Sequence, residues 1–337
     1  MWVKSFRLMA LLMTLAWTGV AAAQKSRVTA EGVRYELVRP SATDSEIHDF
    51  DDPHWVYFPL APVADGKGEA KERPELLLWI PGTRPPNVKQ PEPGHVLRGA
   101  SHAFCAYAAT LGYHVLSLSY PNSLSASSCN NDSEPKAFET FRMSIIAGGT
   151  SPHITVSKTD CIENRLIKAL QYLGKKYPDG GWSKYLTEQG EIRWESIAVA
   201  GQSQGGGHAA LMGVHHHVAR VLCFGAPKDY STALNAPAAW YGEMAATPKD
   251  RFFAFNHEQD RQGCTPEHQM DNLKALGLDA LHAPVMVDQA TPPFENSHVL
   301  MTNYPGGHIE SLKAHGTMID PKNEALFKPV WTYMLTQ

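Results

Sequence analysis

Ser196-Ile197-Ala198-Val199-Ala200-Gly201-Gln202-Ser203-Gln204-Gly205-Gly206-Gly207-His208-Ala209-Ala210 reads as a strand, a turn and the start of a helix. The run from Ser196 to Ala200 is short and apolar, as a strand buried on both faces requires. Gly201-Gln202-Ser203-Gln204-Gly205 matches G-x-S-x-G, a pattern that carries meaning only between a strand and a helix. There the chain turns so sharply that side chains two residues either side of the serine would collide. A serine at that position is held in a strained conformation with its hydroxyl exposed. Ser203 is therefore the candidate nucleophile. Gly206 and Gly207 extend the small-residue run and let the helix pack close to the sheet.

Outward from this point, strand and helix alternate. Upstream, Leu76-Leu77-Leu78-Trp79-Ile80 is a continuous apolar run stopped by Pro81-Gly82, and Trp79 on it reads as core. Shorter strand-like pieces lie at 34–38 and 55–60. A helix is expected over 96–111, a strand over 114–120 and a helix over 160–177. Downstream, strands are expected at 218–224, 251–256 and 298–304, with helices at 266–276 and 323–335. The Ser-, Asn- and Asp-rich residues 123–133 read as an exposed insertion, and 123–155 as a wall of the substrate pocket together with 284–297. Alternation of this kind predicts one α/β domain over 24–337 with a mostly parallel sheet.

Composition narrows the function classes. The chain has 337 residues, 43% apolar and 19% charged, which suits a globular protein. Its 30 Lys+Arg against 34 Asp+Glu provide no basic field for nucleic acid. No repeat of solenoid or propeller length is visible. Residues 1–23 carry Lys4 and Arg7, then a mostly apolar run from Leu8 to Val20, then Ala21-Ala22-Ala23. That is the pattern of a signal peptide cleaved before Gln24, and the run is shorter than the roughly 20 residues a membrane span needs. The expectation is an exported protein, periplasmic or extracellular, with no membrane span in its mature form. Of the five cysteines, Cys223 reads as a buried small residue, and Cys129 with Cys161 is the first candidate for a disulfide.

The glycine-flanked serine, the element order and the runs Gly201 to Ala210 and Pro329-Val330-Trp331-Thr332-Tyr333-Met334-Leu335 together resemble the α/β-hydrolase superfamily. The chain is similar in particular to a branch of secreted bacterial serine hydrolases with relatives in plants. The resemblance implies a mostly parallel central sheet with helices on both faces, a Ser–acid–His triad in that chain order, and no cofactor. A serine hydroxyl needs a base within hydrogen-bond reach, and the base needs an acid to orient it. The family places the acid after the second strand beyond the nucleophile helix, where Asn256-His257-Glu258-Gln259-Asp260 follows. Asp260 is favoured over Glu258 because the acid must buttress the imidazole from the loop. The base belongs after the last strand, where His308 and His315 both qualify and His315 is favoured.

One oxyanion donor should be the Gln204 N–H, and the other the Thr83 N–H in Pro81-Gly82-Thr83, which departs from the family's common His-Gly form. His215-His216-His217 does not predict a metal site, because consecutive helical residues point about 100° apart. His208 could reach the site or could simply pack. The reading is an esterase acting on a small-molecule or polymer ester, with peptidase, lipase and catalytically silent binder as rivals.

Overall fold

The computed structural model of the protein describes residues 27–60, 73–84 and 100–337. The expected signal peptide and positions 96–99 of the expected helix lie outside the described residues. Among those described, ten strands form one sheet. In chain order they are β1 (Arg27–Val28), β2 (Arg34–Val38), β3 (His54–Tyr57), β4 (Leu76–Ile80), β5 (His114–Ser117), β6 (Ile197–Gln202), β7 (Arg220–Phe224), β8 (Phe252–His257), β9 (Val285–Met286) and β10 (Val299–Thr302). In space they run β1-β2-β3-β5-β4-β6-β7-β8-β10-β9. Every pair from β5 to β9 in that order is parallel, while β1, β2 and β3 add an antiparallel edge. The strand expected at 55–60 ends at Tyr57, just before Pro59, which has no N–H for a ladder.

Side chains alternate across the parallel strands, so one apolar run feeds two cores. Leu76, Leu78 and Ile80 belong to one core, while Leu77 and Trp79 belong to the other. The principal helices are α1 (Ala100–Thr110), α2 (Ala137–Met143), α3 (Ile162–Lys176), α4 (Gln204–His215), α5 (Pro266–Ala275), α6 (Ser311–Gly316) and α7 (Glu324–Thr336). Helices α3 and α4 cover the first core. Helices α1 and α7 cover the second, where Phe104 meets Trp331 edge to face and Trp79 lies 5.1 Å from Phe104. Trp79 is core, as its strand predicts.

Two expectations need correction. Residues 123–133 are not simply exposed: the turn Ala126–Cys129 buries Ala126 and Cys129. The turn is held because the Ala126 N–H donates to Gln204 Oε1 at 2.8 Å and Ser125 Oγ accepts the Ser127 N–H. Nor do Cys129 and Cys161 form a bridge, since all five cysteines are free thiols. Each sulfur is engaged locally, Cys129 Sγ with the Ala137 carbonyl and Cys161 Sγ with the Lys158 carbonyl, on separate elements.

Candidate active site

The mostly parallel sheet, with helices packed on both of its faces, is the architecture that the α/β-hydrolase resemblance implies, and in such sheets ligands meet the loops at the carboxyl ends of the parallel strands. Thr83 follows β4, Ser203 follows β6, Lys228 follows β7, Asp260 follows β8 and His315 follows β10. Topology alone thus delivers residues far apart in the chain to one end of the sheet.

Ser203 sits between β6 and α4 with φ 57° and ψ −123°, a conformation that costs a non-glycine residue about 1–3 kcal/mol. The strain persists because the surroundings leave no alternative. A Cβ on Gly205 would strike the Ile80 carbonyl, and one on Gly201 would come within 2.6 Å of the same oxygen. The turn is pinned where the Ser203 N–H donates to the Phe224 carbonyl at 2.8 Å.

Asp260 and His315 meet at hydrogen-bond distance, Nδ1 to Oδ2, 2.7 Å. Asp260 is fully buried and His315 nearly so. A carboxylate only accepts, so Nδ1 carries a proton, and in the neutral ring the lone pair is then on Nε2. Burial would push the Asp260 carboxyl up. The His315 hydrogen bond and the Lys228 ammonium, 2.9 Å from Oδ2, outweigh it and hold the carboxyl below the usual range. Trp331 Nε1 donates to the Met318 carbonyl, anchoring the segment after α6 to α7.

The rival residues point elsewhere. Glu258 and His308 are exposed. The side chain of Gln259 holds the His308 loop from both sides, donating to the Gly307 carbonyl at 2.6 Å and accepting the Ile309 N–H at 3.1 Å.

A cavity of about 450 Å³ opens on Ser203, Gln204, Thr83 and His315. Gln204 is the first residue of α4, so its N–H has no partner within the helix and lies at the positive end of the helix dipole. Its side chain has a role that the sequence pattern does not announce. Gln204 Oε1 accepts from Thr83 Oγ1 at 3.0 Å and from the Ala126 N–H, joining both walls of the cavity to the elbow.

A second unforeseen feature is the ion pair of Arg142 on α2 with Asp229 after β7. Nε and Nη2 reach the two carboxylate oxygens at 2.6 and 2.5 Å, and Nη1 donates to the Gln204 carbonyl at 2.9 Å. Burial works against the Arg142 charge, but Asp229 overrides it and raises the guanidinium further. The sequence signal was a lone arginine among Phe138, Phe141, Ile145 and Ile146 at helical spacing. Arg142→Met leaves Asp229 charged and uncompensated in the interior, so unfolding in urea should show a loss of about 3–5 kcal/mol. A loss below about 1 kcal/mol would show that the pair does not hold this wall.

His208 is fully buried beside Arg142 and Tyr120, and both burial and the guanidinium push its imidazole well below its ordinary range. It packs and does not line the cavity. The three consecutive histidines diverge: His215 faces Glu139, His216 faces Glu163 and stacks on Trp194, and His217 reaches the Ala246 carbonyl. Residues 284–297 do not line the cavity either. Val285, Val287 and Phe294 are buried in the Trp79-side core, because β9 pairs at the far edge of the sheet beyond β10. From the expected insertion, Ser125, Ala126, Ser127 and Arg142 do line it. Among the described residues no helix is long and apolar enough to cross a membrane.

No protein-family model and no curated protein matches the chain. Among solved structures it is similar to an esterase from the Planctomycetes species Thermogutta terrifontis, at 11% identity over 89% of this chain and 92% of the other, with a TM-score of 0.42. Esterase B from Lactobacillus rhamnosis is similar at 13% identity over 93% and 89%, with a TM-score of 0.43. An α/β serine hydrolase without a lid from Xanthomonas campestris is similar at 10% identity over 92% and 96%, with a TM-score of 0.41.

Proposed function

We propose that the protein is a serine esterase that cleaves short-chain carboxylic esters through a Ser203 acyl-enzyme. The observation that carries this reading is the hydrogen-bonded Asp260–His315 pair beside the cavity on which the strained Ser203 opens. In the first half-reaction His315 Nε2 takes the Ser203 proton as Oγ attacks the ester carbonyl. The oxyanion that forms is met by the Gln204 and Thr83 N–H groups. His315 then gives the proton to the departing alcohol. In the second half-reaction it activates a water that releases the acid, and Asp260 stabilises the imidazolium at both stages.

The lining sets the acyl preference. Among the described residues the apolar side chains on the cavity are Ala126, Leu312 and Ile319, beside Ser125, Ser127, Gln202, Gln262 and Lys228. Each methylene buried on an apolar wall contributes about 0.8 kcal/mol, roughly fourfold in kcat/KM. Three apolar side chains make a short apolar wall, which a few methylenes fill. With p-nitrophenyl esters from acetate to decanoate, kcat/KM should peak at acetate to butyrate and fall at least tenfold by decanoate. A fluorophosphonate probe should label Ser203 in the same preparation. A steady rise from butyrate to octanoate would instead indicate an apolar acyl groove and lipase-like specificity, and absence of both turnover and labelling would indicate a binding protein.

A further inference from the structure

One charged group on the acid has no part in the triad scheme. Lys228 Nζ and His315 Nδ1 converge on the same oxygen, Asp260 Oδ2, at 2.9 and 2.7 Å, while Oδ1 accepts the Gln262 N–H at 2.9 Å. The carboxylate is thereby held at both oxygens from three sides. The lysine stem lies against the Gly263 turn of the acid loop, and its buried ammonium meets Oδ2 as an ion pair rather than in hydrogen-bond geometry. We infer that Lys228 is a positioning residue for the hydrolytic reaction: it fixes the Asp260 carboxylate for His315 and shares its charge, making the base neutral at lower pH than an Asp–His pair alone would. The inference rests on the triad reading above.

The sign follows from charge counting. With His315 neutral, Asp260 and Lys228 balance. Protonated, the imidazolium faces a carboxylate already engaged by an ammonium and is stabilised less. Removing the ammonium therefore favours the protonated, inactive base and carries the acid limb of the rate profile upward. A charge at this range typically moves a titration by about one unit or more. Other groups around the pair do not supply the effect. Asp229 is taken by Arg142 and by Trp240 Nε1. The Cys264 thiol is pushed up to about 12, chiefly by burial, and stays neutral. His257, buried on the acid strand, has Nε2 on the Tyr304 carbonyl and Nδ1 on the Gln259 N–H. On α6 and its approach, Lys313 and Glu310 are exposed and 3.7 Å from each other, and on the acid loop Arg261 is exposed.

The test is the pH dependence of kcat and KM for a short-chain ester with wild type, Lys228→Met, Lys228→Gln and Lys228→Arg. Expected are an acid limb of kcat/KM raised by about one pH unit in the two neutral variants, and kcat lowered roughly tenfold with KM within about twofold. Lys228→Arg should keep the wild-type acid limb. A folded neutral variant whose acid limb coincides with wild type, however slow it is, reduces Lys228 to packing and overturns the inference. So does failure of both neutral variants to fold, which would make the lysine a stability element. If wild type itself neither turns over esters nor labels at Ser203, the triad reading has failed, a result distinct from all of these.

Discussion

Ser203→Ala should remove ester turnover and fluorophosphonate labelling together, with kcat falling by about 10⁶ while the protein stays folded. The loss is that large because every covalent step runs through Oγ, and the remaining parts of the site act only on a bound acyl group. Stability should change by no more than about 0.5 kcal/mol, since alanine must adopt the same positive φ and no buried partner is orphaned. Ser203→Gly makes a sharper control. Glycine accepts φ 57° without strain, so it should be equally inactive yet more stable by about 1 kcal/mol. The pair of variants is read by intact-mass labelling, ester kinetics and urea unfolding. Labelling retained at another residue in Ser203→Ala would move the nucleophile elsewhere and sink the scheme.

Nearly as large an effect should follow from His315→Ala, with the acylation burst lost and the acid limb of the rate profile gone. Without the imidazole the proposed scheme has no base for the Oγ proton, and Asp260 is too deeply buried to replace it. His308→Ala should differ from wild type by only a few-fold. Its ring is exposed, and the loop is held through backbone contacts with Gln259 that alanine keeps. The decisive measurement is rapid-mixing burst amplitude with both variants, over a pH series. If His308→Ala lost the burst and His315→Ala retained it, the base would have to be reassigned.

Much of the site could be read along the chain because its parts are local. Gly201 to Gly205 announces itself through the steric demands of one tight turn, and those demands reappear as the contacts of Gly205 and Gly201 with the Ile80 carbonyl. The α/β-hydrolase resemblance implied an acid after β8 and a histidine after β10. It left Glu258 beside Asp260 and His308 beside His315, because residues a few positions apart in one loop have the same sequence context. What separates them is direction. Asp260 turns inward onto His315, while Glu258 and His308 turn to solvent.

By itself, the sequence determined the mostly parallel sheet and the tight serine turn, which depend on periodicity and on sterics within a few residues. The order of nucleophile, acid and base came only as what the α/β-hydrolase resemblance implies. Only the tertiary structure decided which acid meets which histidine, that both Lys228 and His315 share Asp260 Oδ2, and that Arg142 and Asp229 pair beneath the cavity. The Arg142 and Asp229 partners stand 87 residues apart, and Asp260 and His315 stand 55 apart. Burial makes each such charge need a partner, but no local rule names that partner. The fold supplies it, by bringing the ends of different strands to one edge and excluding the water that would otherwise serve.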